Sequence, residues 1–158
     1  MCLLLKENDS KVKIAKENII CYKWLVKKTD ECMESPYQYK RYTLNSKMKD
    51  YKKSDRTKLT TKERCALNVM YSHEINQGGF HTFKNYADAK MIIDTYHTLF
   101  QIENNASDVI VKCVIPKGTR YWTGVTPALV DYFENQLFES YASKELIITD
   151  VIYTPKEN

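Results

Sequence analysis

The sequence predicts an α+β fold: one domain with a small mixed or antiparallel sheet and about three packed helices. Three observations lead there. Runs of β-branched and aromatic residues stand at Ile19–Val26, Val109–Ile115 and Lys144–Tyr153. Capped stretches with helical spacing begin near Thr60, Asn85 and Thr126. The 158 residues carry no internal repeat and no linker, so residues 1–158 are read as one domain.

In chain order, Ser10–Glu17 reads as one or two helical turns. Ile19–Val26 is the first strand, with Tyr22 and Trp24 on one face and Lys23 on the other. Ser35-Pro36 marks a turn, and Tyr37–Leu44 alternates aromatic with polar as a strand with one wet face. A basic loop follows at about 45–59; Lys40–Arg64 holds 10 Lys/Arg against 3 Asp/Glu. Thr60 and Glu63 form a capping box for a helix from Thr61 to about Ser72.

Gly78-Gly79 then precedes Phe80-His81-Thr82-Phe83. Asn85 caps the main core helix, in which Tyr86, Ala89, Ile93, Tyr96 and Phe100 keep helical spacing. Val109–Ile115 is a buried strand; Pro116 and Gly118 stop it, and Lys117, Arg120, Tyr121 and Trp122 crowd a turn. Thr126-Pro127 opens a third helix with Leu129, Val130, Phe133 and Leu137 inward. Ser140–Ser143 is a small-residue junction before the last strand, Lys144–Tyr153.

Composition sets the functional bounds. With 43% hydrophobic and 28% charged residues, the chain reads as an ordinary globular protein. The 12 tyrosines against 5 phenylalanines suit pocket walls, or reflect a coding bias towards Lys and Tyr. Charge is uneven: 17 Lys/Arg against 9 Asp/Glu in residues 1–64, and 7 against 11 in residues 65–158. Solvation accounts for the basic half more simply than nucleic-acid binding through the loop. Five cysteines without a C-x-x-C pattern point to a reducing, cytoplasmic setting. Met1–Leu5 is too short an apolar run for a signal peptide or membrane span.

The candidate ligand-binding residues are His81, Lys117, Arg120, Tyr121, Trp122, Tyr22 and Lys23. His81 follows two glycines and stands between phenylalanines, as a ligand contact, an acid or base, or a core histidine satisfied by backbone. Turn amides with Lys117 and Arg120 suit a phosphate, and Tyr121 and Trp122 suit a base; a plain solvated turn fits the same residues. Lys23, between apolar neighbours in a strand, is an edge position or a ligand contact. Glu139 and Glu145 flank the last junction as candidate carboxylates. No phosphate-loop, dinucleotide or nucleophile-elbow pattern occurs, and no His/Cys/carboxylate set has metal spacing. Neither a catalytic residue, a metal nor a cofactor is therefore assigned.

The segments I-I-C-Y-K (Ile19–Lys23), S-P-Y-Q-Y (Ser35–Tyr39), G-G-F-H (Gly78–His81), I-P-K-G-T-R-Y-W-T-G (Ile115–Gly124) and Y-A-S-K-E-L-I-I (Tyr141–Ile148) resemble a loose group of uncharacterised small domains of phages and phage-rich bacterial genomes. That group has no settled activity to carry over. Phages use small proteins to sequester host signalling nucleotides, and the size and the absence of catalytic motifs fit such a binding protein in the host cytoplasm. A more distant likeness is to the ADP-ribosyltransferase fold, with Lys23 in the early strand and Glu139 or Glu145 as the late carboxylate. That likeness implies an NAD-consuming enzyme.

The leading expectation is thus a binding protein for an anionic small molecule or nucleotide. The alternatives are the transferase and a module whose basic loop docks on an acidic protein partner. No membrane partner is expected, and self-association is left open.

Overall fold

The computed structural model describes residues 3–6, 11–36, 40–50, 56–58, 72–76, 78–100, 107–127 and 137–153. The chain is built on antiparallel β-sheet, and the expected α+β fold with about three helices is not what forms. The described residues hold thirteen strands and a single helix, α1 (Tyr86–Phe100). The strands are β1 (Leu3–Lys6), β2 (Lys13–Ile14), β3 (Ile19–Lys27), β4 (Cys32–Glu34), β5 (Arg41–Thr43), β6 (Lys47–Lys49), β7 (Arg56–Lys58), β8 (Ser72–Asn76), β9 (Phe80–Phe83), β10 (Asp108–Ile115), β11 (Arg120–Pro127), β12 (Leu137–Ser143) and β13 (Glu145–Tyr153). Their order is β6-β13-β10-β3-β9-β12-β11-β1-β8-β7; β2 adds to β11, while β4 pairs with both β3 and β5.

The period-2 pattern of β3 and β10 explains the two faces of this sheet. The strands run antiparallel, with Cys21 opposite Cys113 and Leu25 opposite Val109. Cys21, Leu25, Val109, Val111, Cys113 and Ile115 thus share one face and join Met33, Tyr42, Phe80, Leu146 and Ile148 in the main core. Trp24 and Ile110 lie on the other face, where α1 covers them with Ala89 and Ile93. The Trp24 indole donates to Asp108 Oδ1 at 3.0 Å beneath the helix. Each fully buried aliphatic side chain here contributes about 1.5–3 kcal/mol.

The sheet must curl around the main core. β12 and β13 stand four places apart in the strand order, about 19 Å if the sheet were flat. Yet Lys144 alone joins Ser143 to Glu145, a span of at most about 7 Å. A second tie closes the curl. Asp50, just after β6, accepts the backbone amide of Gly79, just before β9, at 2.8 Å. β6 and β9 are also four places apart, so this carboxylate latches a five-strand turn of sheet. The Asp50 side chain is 6% exposed and pairs with Lys144 at 3.2 Å and Lys40 at 4.0 Å.

Other expectations change locally. Thr126 and Pro127 end β11 rather than opening a helix, and Leu137 begins β12; residues 128–136 lie outside the described residues. Thr126 Oγ1 spends its hydrogen on Ser140 Oγ at 2.9 Å instead of capping, and a strand end tolerates a proline with no donor. Ser140–Ser143 is central strand, not junction. The stretch read as a basic loop contains β6 and β7, and Lys13–Ile14 is strand rather than helical turn. Of the strand expected at Tyr37–Leu44, β5 covers Arg41–Thr43, and Leu44 bridges Ile148; residues 37–39 lie outside the description. The helix expected from Thr61 also falls outside it, except that Ser72 begins β8. Among the described residues, no helix is long and apolar enough to cross a membrane.

Candidate functional site

Strand registers place a polar row across the concave face. β9 and β3 are bridged at Phe83 and Tyr22, so one residue along each strand Thr82 and Lys23 share the opposite, concave face. Thr82 pairs with Tyr141 on β12, and Tyr141 with Thr123 on β11. Lys13 of β2 donates to Thr123 Oγ1 at 2.9 Å. The row therefore reads Lys23, Thr82, Tyr141, Thr123, Lys13. Beside it, on the same face, an exposed ion pair between Lys84 and Glu139 at 2.6 Å forms a rim.

Lys23 is the unusual member. Its Nζ donates to the carbonyl oxygen of His81 at 2.6 Å and stands 5.3 Å from the centre of the Tyr42 ring. Among the described residues, no carboxylate reaches it. Burial, reinforced by the charge of Lys40, pulls its pKa down to about 8, against a smaller opposing effect of Cys113 and Cys21. The residue as a whole keeps partial exposure, while burial withdraws its ammonium from water. Lys40 lies over the Phe80 ring at 3.8 Å, and Phe80 and Tyr42 meet edge to face at 5.9 Å.

Thr82 is 1% exposed, and its Oγ1 has no hydrogen-bond partner. A buried hydroxyl in that state costs about 1–3 kcal/mol. Tyr141 beside it is half-buried and meets Tyr121 edge to face at 6.0 Å. Burial pushes the Tyr141 hydroxyl pKa up, so it stays a protonated donor. The face thus offers an ammonium with spare hydrogens, two hydroxyls and several ring edges. That set suits an anion attached to a hydroxylated or aromatic body.

The residues expected from the sequence distribute unevenly. Lys23 and Tyr121 lie on this face. His81 contributes its carbonyl, while its ring points to the opposite side, where Ala142 pairs with it and Leu3, Leu5 and Trp122 form a small cluster. His81 Nε2 lies 3.2 Å from the Gly78 carbonyl, which can only accept, so Nε2 carries the proton and Nδ1 is a buried acceptor without a partner. Burial and then the Lys23 charge lower its pKa to about 3. Trp122 is buried in that same cluster. Tyr22 faces α1 and meets Tyr86 edge to face at 6.0 Å.

Lys117 and Arg120 are exposed, and the amides of their turn are already used. Lys117 N donates to Asn18 Oδ1, Gly118 N to the Ala15 carbonyl and Thr119 N to that of Pro116. No phosphate cradle remains there. Glu145 is held by Lys47 at 2.6 Å, Lys49 and the Thr119 hydroxyl; the Lys47 hydrogen bond chiefly keeps its pKa low. Glu139 is taken by Lys84. Among the described residues, no group of three or more His, Cys, Asp or Glu side chains is placed to hold a metal.

Thr82, Tyr141, Thr123, Lys40, Tyr42 and Asp50 escaped the sequence reading. A lysine out of pattern in β3 was the one available signal. Its partners emerge only through strand register, which the sequence does not state. No protein-family model, curated protein or solved structure matches the chain.

Proposed function

We propose that the chain binds an anionic small molecule, of which nucleotides are the leading class, with the anion at Lys23 on the concave face. One observation carries this reading: the Lys23 ammonium is buried against a carbonyl and a ring, with no carboxylate among the described residues to balance it. An unbalanced buried charge costs several kcal/mol, and a hydrocarbon side chain would pack there more favourably. An incoming anion recovers that cost and takes up the unused N–H groups. Lys40 adds a second positive charge close by. The described residues offer no comparable support for the transferase reading, since lysines engage both of its candidate carboxylates.

Calorimetric titration of inorganic phosphate, AMP, a cyclic mononucleotide and NAD into the wild type and Lys23→Met tests the proposal. Binding of at least one of these, weakened about thirtyfold or more in the variant, is expected from loss of a charge-assisted contact. Affinity should also fall as pH rises through about 8, where Lys23 loses its charge. No heat and no thermal shift with any of the four would overturn it. Release of nicotinamide in the NAD arm would replace it with the transferase.

A further inference from the structure

We infer that the ligand is a phosphorylated sugar, its phosphate at Lys23 and its hydroxyls over Thr82 and Tyr141. This deepens the reading just proposed and rests on it. The independent observation is the Thr82 hydroxyl, 1% exposed and without a hydrogen-bond partner. Thr82 sits between the two neighbours that define the ligand's chemistry. Lys23 is level with it on β3, and Tyr141 is paired with it on β12.

An ammonium alone would select any anion. A threonine and a tyrosine hydroxyl next to it select one whose body both donates and accepts hydrogen bonds within about one strand spacing of the charge. Sugar hydroxyls attached to a phosphoester meet that demand. An alkyl carboxylate can accept the Thr82 and Tyr141 hydrogens but brings no donor for their oxygens. The edge-to-face rings of Tyr141 and Tyr121 add a surface for the sugar's C–H face or for a base. The Lys84–Glu139 pair at the rim keeps its charges balanced, so the second contact with the ligand falls to the hydroxyls.

Sugar phosphate and mononucleotide share this chemistry, and the test separates them. Ribose 5-phosphate, AMP, inorganic phosphate and adenosine would be titrated into the wild type, Thr82→Val and Lys23→Met. Ribose 5-phosphate should bind about tenfold or more tightly than inorganic phosphate, the value of one good hydrogen bond. Thr82→Val, nearly the same shape, should lose that advantage, keep its phosphate affinity and melt no lower than the wild type. AMP tighter than ribose 5-phosphate makes the ligand a nucleotide; equal affinities make it a sugar phosphate. Ribose 5-phosphate binding no better than phosphate, or undiminished in Thr82→Val, overturns this inference and leaves the anion site standing. Failure of every phosphate arm overturns the anion site itself.

Discussion

The Lys23 ammonium donates to the His81 carbonyl at 2.6 Å, one residue beyond the point where β3 and β9 are bridged through Tyr22 and Phe83. The contact joins two segments 58 residues apart and turns a strand lysine inward over the Tyr42 ring. It leaves a cation inside the curl of the sheet with hydrogens still to give. Stability and binding then pull in opposite directions at this side chain.

Lys23→Met should be more stable than the wild type when no ligand is present. A pKa lowered from 10.5 to about 8 costs the folded state up to roughly 3 kcal/mol at pH 7, less what partial exposure relieves. The folded lysine sheds its proton first, so wild-type stability rises from about pH 8 towards 10.5. Cys113 and Tyr42, whose pKa values burial raises, work against this in both proteins, Cys113 from about pH 9 and Tyr42 from about pH 10. Urea melts at pH 7 and pH 9.5 should show the rise in the wild type alone. A variant less stable at pH 7, or with the same pH slope, contradicts the account.

His81 governs the acid side. Its folded pKa of about 3 lies below the unfolded 6.5, so the unfolded chain takes up a proton that the folded chain refuses. Stability contributed by the neutral ring is full above pH 6.5 and drains away as pH falls towards 3. His81→Gln should flatten this slope by about 2 kcal/mol between pH 7 and pH 4.5. Parallel stability curves for the two proteins would show that the ring titrates normally.

Asp50 is expected to be the costliest single loss outside the apolar core. Its buried carboxylate takes the Gly79 amide and the Lys144 ammonium at the seam of the curled sheet. Asp50→Ala should cost about 3–5 kcal/mol, because it removes the acceptor of the Gly79 amide and the carboxylate facing Lys144. Asp50→Asn keeps an acceptor for the amide and should cost less. Denaturant midpoints that rank the two variants the other way refute the latch.

Two glycines with positive φ separate strain from collision. Gly79 has φ +91° and Gly118 has φ +85°. A Cβ at Gly79 would sit 2.9 Å from the Ser143 carbonyl oxygen, whereas one at Gly118 meets open space. Gly118→Ala should cost about 1 kcal/mol, the left-handed penalty alone. Gly79→Ala should cost at least about twice that, since strand backbone cannot yield cheaply. Equal losses in thermal melts would mean that β9 shifts freely against β12.

Legibility in the sequence followed local signal. Ile19–Lys27, Asp108–Ile115, Glu145–Tyr153 and Tyr86–Phe100 each declare themselves through period or composition. β11 and β12 did not. Thr126-Pro127 has the chemistry of a helix start, and Ser140-Tyr141-Ala142-Ser143 looks like a break because three of its four residues are small. Those small residues are what close packing demands: the Ser143 backbone lies against Gly79, and Ala142 sits between Leu3, Leu5 and Trp122. The curl itself depends on Asp50, 29 residues before Gly79 and within a lysine-rich stretch that reads as solvated. Lys23 stood out as a charge in an apolar strand. Thr82 did not, because an ordinary threonine acquires meaning only when register sets it between Lys23 and Tyr141.

The most direct test of the central claim is the pKa of Lys23 itself, read at Nζ by NMR in the free protein and again with saturating ribose 5-phosphate. The account predicts a free value near 8, moving back up towards 10.5 when the phosphate supplies the missing counter-charge. An ordinary value in the free protein, or a value the ligand leaves unmoved, would contradict it.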